Sequence, residues 1–421
     1  MENTAAAGLR LRRRSAPRDD RARRAENRPP EERKATMNEK EISEIRRRFR
    51  PDKSNITHVR GCYVNERQEI VAAFDQSLAL LPQEESENLL AVLRRTLSGT
   101  LGKNLIDMPF STAQVVDSDE HRLLMALRDS ALNDEAAVSA LFEKIIAAYR
   151  PEGTYLILLA HDTYDVPFRS RDGERQDDAS SETYSYVLCS ICPVKETKPV
   201  LGYSVPENAF HNRGIDWLVG APALGFLFPA FNDRSADIYS ALYYARDDAD
   251  SHDAFVDAVF RCPPPMPAET QKETFGAVLG DALEEACSFD VVQSVQGGLV
   301  EMIEEHKANK EVEPLQISKG TVRAMLTACG VPGENVARFE EQYDAQFGAD
   351  TALSPRNLVE TRKFEVTTPD VTIRVNPACS DLIETRVIDG VRYILIRADD
   401  GVAVNGVPIR IEDRSYPEMQ E

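Results

Sequence analysis

Two polar clusters stand directly after apolar runs, where a chain commonly presents functional groups on loops. His161-Asp162-Thr163-Tyr164-Asp165 follows Tyr155-Leu156-Ile157-Leu158-Leu159, and Asn232-Asp233-Arg234-Ser235-Ala236-Asp237 follows Leu227-Phe228-Pro229-Ala230-Phe231. Carboxylates suit a hard divalent cation and an imidazole a borderline one, and a bound cation activates the water it holds. With the ends of the two runs side by side, His161, Asp162, Asp165, Asp233 and Asp237 would be the metal ligands. His161, Asp162, Asp165 and Arg234 would be the catalytic candidates, Arg234 steadying an anionic substrate. The competing explanation is local and carries more weight: Asp and Asn start turns and cap helices by bonding their own backbone.

Other signals are weaker. Cys189-Ser190-Ile191-Cys192 has the spacing of a redox couple or of half a zinc site. The remaining cysteines (Cys62, Cys262, Cys287, Cys329 and Cys379) are isolated, and Tyr186-Val187-Leu188 reads as strand, so buried core thiols are expected. Ser98-Gly99-Thr100-Leu101-Gly102-Lys103-Asn104 superficially looks like a phosphate loop, but Asn104 replaces the hydroxyl residue and a helix precedes it; a glycine-permitted turn is expected. A helix pair over 322–347 would oppose DNA with Glu334, Glu340, Glu341 and Asp344. His58, His121, His211 and His252 have no partners at ligand spacing, and Trp217 reads as core or loop anchor.

Charge narrows the partners. Residues 1–36 hold 11 Lys+Arg and 6 Asp+Glu; subtracting these from 50 and 70 leaves 39 and 64, a net of -25 for 37–421. Such a body repels phosphate backbones and anionic membranes. No run approaches the ~18 apolar residues of a spanning helix, and the scattered thiols suit a reducing compartment, so a soluble cytoplasmic protein is expected.

The elements that must position these groups follow from periodicity. Residues 1–36, rich in Arg and poor in large apolar groups, read as a disordered extension upstream of a true start at Met37. Ile70, Val71, Phe74, Leu78 and Leu81 have helical spacing, as do Leu89, Leu90, Leu93 and Leu97, and Val138 to Tyr149 capped at Asn133 or Asp134. Tyr155–Leu159, Tyr184–Ile191 and Gly225–Phe231 read as strands, and Ile238–Tyr244 as a return strand or a helix start. Helical spacing resumes over Phe275–Ala286 and Val292–Ile303, interrupted at Gly297-Gly298, and the polar run His306–Glu313 looks like a linker. Val322–Cys329 and Glu334–Phe347 form a helical hairpin. Asp389-Gly390 and Asn405-Gly406 then supply the positive φ angles of hairpin turns in a small antiparallel sheet.

The expected class is α+β: helices packed on a mixed or antiparallel sheet over 37–262, a helical connecting segment over 263–313, and the helical hairpin with β-hairpins over 314–421.

EISEIRRRF from Glu41, LSGTLGKNL from Leu97, YLILLAHDTYDVP from Tyr155, LCSICPVK from Leu188 and FLFPAFNDRSADI from Phe226 resemble an uncharacterised bacterial family, domain of unknown function 4317. The resemblance covers most of the chain from Met37 and implies a bacterial source. It brings no activity, cofactor or catalytic residue to transfer. The sequence therefore leaves cofactor, small-molecule ligand and protein partner open. It leans by a narrow margin toward an interaction or regulatory module, because no reactive signature is complete. The alternative is a divalent-metal-dependent enzyme, hydrolytic, built on the carboxylate and histidine cluster.

Overall fold

The computed structural model describes residues 36–410, apart from 170–174 and the single positions 248, 264, 310, 312, 350, 362 and 400. The extension expected over 1–36 lies outside the described residues except for Thr36. The chain divides into two compact units, one reaching Pro267 and including 312–314, the other formed by 268–311 and 315–421.

The first unit opens with α1 (Glu39–Arg46), whose start is fixed by a capping box. Asn38 Oδ1 accepts from the amides of Lys40 and Glu41, and Glu41 returns a carboxylate oxygen to the Asn38 amide. Strands β1 (His58–Val64) and β2 (Ile70–Ser77) form a hairpin, followed by α2 (Gln83–Arg94). Then come β3 (Leu105–Pro109), α3 (Thr112–Asp117), α4 (Asp119–Asp129) and α5 (Glu135–Ala148). The long strands β4 (Thr154–Arg169) and β5 (Arg175–Glu196) lead to β6 (Val200–Ser204), β7 (Ala209–Arg213) and β8 (Trp217–Val219). Strands β9 (Leu224–Phe228), β10 (Ala230–Asn232), β11 (Ser235–Asp237) and β12 (Ser240–Ala245) and helix α6 (Asp253–Phe260) complete the unit.

One antiparallel sheet in the order β2-β1-β4-β5-β9-β12-β3, with β8 added beside β5, is the frame. Strand alternation gives it two apolar faces, because successive side chains point to opposite sides. Ile157, Leu159, Cys189, Phe226 and Tyr243 meet α4, α5 and α6 through Leu127, Leu141, Ile145 and Phe255. Leu158, Tyr164, Tyr186, Leu188 and Leu227 meet α1 and α2 through Ile42, Ile45, Leu90 and Leu93. Each fully buried aliphatic or aromatic side chain contributes about 1.5–3 kcal/mol, which makes the sheet centre the best-anchored part of the unit. Gly225 lets β9 lie close to β5: a Cβ there would stand 2.3 Å from the Cys189 carbonyl oxygen and 2.5 Å from Thr96 Cγ2.

Several elements depart from the sequence expectation. Ile70–Leu81 is the strand β2 with a short 3-10 turn over Leu78–Leu80, not a helix. Its apolar spacing fits a helix only by coincidence, since β2 is an exposed edge strand held by pairing with β1. The strand read from Tyr155 does not stop at Ala160 but runs to Arg169, and of Ile238–Tyr244 the residues from Ser240 on lie in the strand β12. Asp134 caps α5, accepting from the amides of Ala136 and Ala137. Gly99 and Gly102 take positive φ in the turn before β3, as a glycine-permitted turn requires.

The second unit contains α7 (Ala268–Leu283), α8 (Phe289–Asn309), α9 (Lys319–Ala328) and α10 (Gly333–Phe347) around Phe275, Leu299, Leu326 and Phe339. Helix α8 runs unbroken through Gly297-Gly298 and takes in the first part of the expected linker. Met325 Cε lies 3.2 Å from where a Cβ on Gly298 would stand, so the glycine serves close helix packing. The closing strands pair as separate hairpins, β13 (Phe364–Thr367) with β14 (Thr372–Val375), β15 (Ile383–Ile388) with β16 (Val391–Ile396) and β17 (Val402–Val404) with β18 (Val407–Ile409), rather than as one sheet. Asp389-Gly390 and Asn405-Gly406 turn two of them with positive φ at both residues.

Candidate functional site

The cluster from His161 to Asp165 is not a loop; it continues β4, so its side chains alternate between the two faces of the sheet. His161 lies on the α4 side, where Nε2 shares a 2.8 Å hydrogen bond with Ser185 Oγ. Burial pushes its pKa below the ordinary 6.5, with the nearby Arg128 acting in the same direction. Asp162 lies on the α1 side and is 1% exposed. Asp165 is exposed and accepts from Thr183 Oγ1 at 2.8 Å.

Asp162 is saturated with donors. Arg48 grips it in bidentate fashion, Nε to Oδ2 at 3.0 Å and Nη2 to Oδ1 at 3.1 Å. The amides of Asn55 and Thr163 donate to Oδ1 at 2.9 Å each, and Tyr186 Oη donates to Oδ2 at 2.8 Å. The Arg48 guanidinium carbon also sits 4.8 Å from the centre of the Tyr164 ring, within cation-π range. Charge pairing and five donor contacts are what permit a buried carboxylate.

The second cluster joins the same network through α1. Asp233-Arg234 is the two-residue turn between β10 and β11, both residues at positive φ, 50° and 58°. Arg234 Nη2 and Nε reach the two oxygens of Glu44 at 2.9 and 3.3 Å, and its Nη1 donates to the Pro167 carbonyl at 3.0 Å. Tyr164 Oη donates to the same Glu44 at 2.7 Å. The Arg234 amide donates to Glu41 Oε1 at 3.2 Å, and burial pushes the Glu41 carboxyl above its ordinary 4.5. Asp237 accepts from Asn232 Nδ2 at 2.8 Å and from the Tyr239 amide at 3.1 Å, closing its own hairpin.

The structure thus brings Asp162 and Arg234 into one arrangement, a fastening of α1 to the sheet, while His161 faces the other layer. Among the described residues, no group of three or more His, Cys, Asp or Glu is placed to hold a metal ion. The cysteine pair behaves similarly: Cys189 enters the core beneath α5 and Cys192 the core beneath α2, since residues three apart on a strand face opposite ways. Burial pushes the Cys192 thiol up to about 12 and the Cys189 thiol well above its usual range. His121, also buried, pairs Nε2 with the Ile238 carbonyl at 2.7 Å and stacks edge-on with Phe110 and Phe228.

A feature the sequence reading passed over lies between Val200 and Val219. Strands β6 and β7 form a two-stranded arm outside the main sheet, and β8 extends the sheet beside the end of β5. Val200, Leu201, Tyr203, Val205, Phe210, Ile215, Trp217, Leu218 and Val219 are 45–78% exposed. Trp217, expected in the core or anchoring a loop, is therefore a surface residue. Beside it lies a hollow of about 430 Å³ lined by Tyr63, Leu156, Val194, Glu196, Trp217 and Val219. Register explains the hollow: Tyr63 pairs Leu156, Val194 pairs Val219 and Glu196 pairs Trp217, all on the sheet face that α1 and α2 cover farther along. The available signal was a dense apolar pattern on both sides of the turn residues Pro206-Glu207-Asn208, with nothing adjacent to bury it.

Comparison with known proteins gives one family model, described as Domain of unknown function (DUF4317), matching residues 37–407. No curated protein matches the chain.

Proposed function

The chain belongs to the DUF4317 family, and we propose that it works as a protein-interaction module whose contact face is the β6–β7 arm with β8 and the adjoining hollow. The observation that carries this reading is the concentration of nine large apolar side chains, exposed over twenty consecutive residues, beside a concave apolar surface. Contiguous exposed apolar patches mark interaction sites, whereas isolated ones do not. The rest of the first unit supports the same reading, because the groups with catalytic potential are engaged: Asp162 by Arg48 and Tyr186, Arg234 by Glu44. The acidic balance of the chain, -20 overall, argues against nucleic acid as the partner. Among the described residues no helix is long and apolar enough to cross a membrane. The unpaired buried thiols of Cys62, Cys189 and Cys192 support a reducing, cytoplasmic setting.

The test is a photoreactive residue placed at Phe210 in cells, with Val116, exposed on α3, as control. The reading expects an adduct of defined mass from position 210, lost when Trp217→Asp is added, and none from position 116. Absence of any adduct from position 210, or equal yields from both positions, overturns it.

A further inference from the structure

We propose that the occupant of this face is a second copy of the chain, the arm of each protomer entering the hollow of the other around a twofold axis. The inference rests on the interaction reading above and names its partner. Three observations support it. The first is charge. Residues 197–220 hold Lys198 and Arg213 against Glu207 and Asp216, a net of zero in a chain of net -20. A partner selected by complementary charge would meet an acidic face; a neutral face instead lets two acidic bodies approach without opposing like charges.

The second is area. Three aromatics at about 150–250 Å² each and six aliphatics at about 60–120 Å² each, 45–78% exposed, present on the order of 600 Å² over the two faces of the arm and β8. A standard interface takes about 800 Å² from each partner. The third is shape. Tyr203 and Phe210 pair across the arm with ring centres 5.1 Å apart, forming an apolar projection. The hollow of about 430 Å³ is a matching recess on the same molecule. A projection and a recess side by side on one protomer are what a twofold interface requires, since each surface then meets the other's complement.

The experiment is sedimentation of the full chain over a dilution series, read alongside the emission of Trp217, the only tryptophan. The wild type is expected to sediment at twice 47.0 kDa, with Trp217 emission shifting to the red on dilution. Phe210→Asp and Leu201→Asp alter exposed side chains, so folding, checked by circular dichroism, is retained. Each is present in both protomers and is expected to raise the dimer dissociation constant by about thirtyfold per copy, on the order of a thousandfold in all, the loss of two hot-spot side chains. Val116→Asp should change nothing. A wild type that stays at 47.0 kDa throughout, or a dimer indifferent to both arm substitutions, overturns the proposal. The cross-linking experiment separates the two failures. An adduct from position 210 with a different protein leaves the interaction reading standing without the second copy, and no adduct removes both.

Discussion

Replacing Arg48 by methionine would leave the Asp162 carboxylate buried, 1% exposed, without its countercharge. Removing one partner of a buried ion pair costs about 3–5 kcal/mol. The lower end applies, because the amides of Asn55 and Thr163 and the Tyr186 hydroxyl would still donate, and because the Arg48 side chain is itself 13% exposed. A loss of about 3 kcal/mol lowers the melting temperature of a domain of this size by about 6–12 °C. Asp162→Asn should cost less, about 2 kcal/mol, since the guanidinium keeps the Thr163 carbonyl at 3.1 Å and the Tyr164 ring. The double variant should be more stable than the sum of the singles by about 1–2 kcal/mol. Scanning calorimetry of the four proteins closes the cycle. A drop of under about 2 °C for Arg48→Met, or strict additivity, would refute the assignment of this pair as the fastening of the turn after α1 to the sheet.

Other consequences can be checked directly. Glu41 has a carboxyl pushed up by burial, so the folded state binds a proton that the unfolded state has released; stability should fall as pH rises from 4.5 through the raised value. Glu41→Gln removes the titrating proton, keeps one acceptor oxygen for either the Asn38 or the Arg234 amide, and should flatten that loss in melts run across pH, at a lower stability throughout. Gly225→Ala would drive a methyl group into the Cys189 carbonyl and should lower stability by about 3 kcal/mol, the upper end of the usual cost of overpacking, visible as an early unfolding transition. Alkylation of the native protein followed by peptide mass mapping should modify exposed Cys379, then half-buried Cys287 and Cys329, and spare Cys62, Cys189 and Cys192; early labelling of the last two would contradict their place in the sheet.

The legibility of this chain varied with the kind of signal. Helices with one buried face were readable, as in Val138–Tyr149, because burial on one side imposes the 3.6 period. Hairpin turns at Asp389-Gly390 and Asn405-Gly406 were readable because positive φ restricts residue choice. Strand β2 was misread because an exposed edge strand has no buried face to impose a period of two. The length of β4 was underestimated for a related reason. Asp162 looked like the end of an apolar run, yet its inward position is made tolerable by Arg48, 114 residues away in sequence. No local window contains that partner. The candidate residues stand out in the sequence as unusual, while the contacts they make depend on pairing that only the assembled sheet supplies.

Salt gives the two-copy arrangement a signature that complementary charge cannot imitate. Each protomer carries -20, so approach of two bodies is opposed by their fields, while residues 197–220 contribute apolar contact with no net charge. Added salt shortens the screening length from about 30 Å at 0.01 M to about 8 Å at 0.15 M. It removes the repulsion and leaves the apolar contact in place. Dimer affinity should therefore rise between these ionic strengths, measured by dilution with Trp217 as the reporter. An interface built on opposite charges would weaken over the same range, so a falling affinity would mean that the acidic surface, rather than the neutral arm, makes the contact.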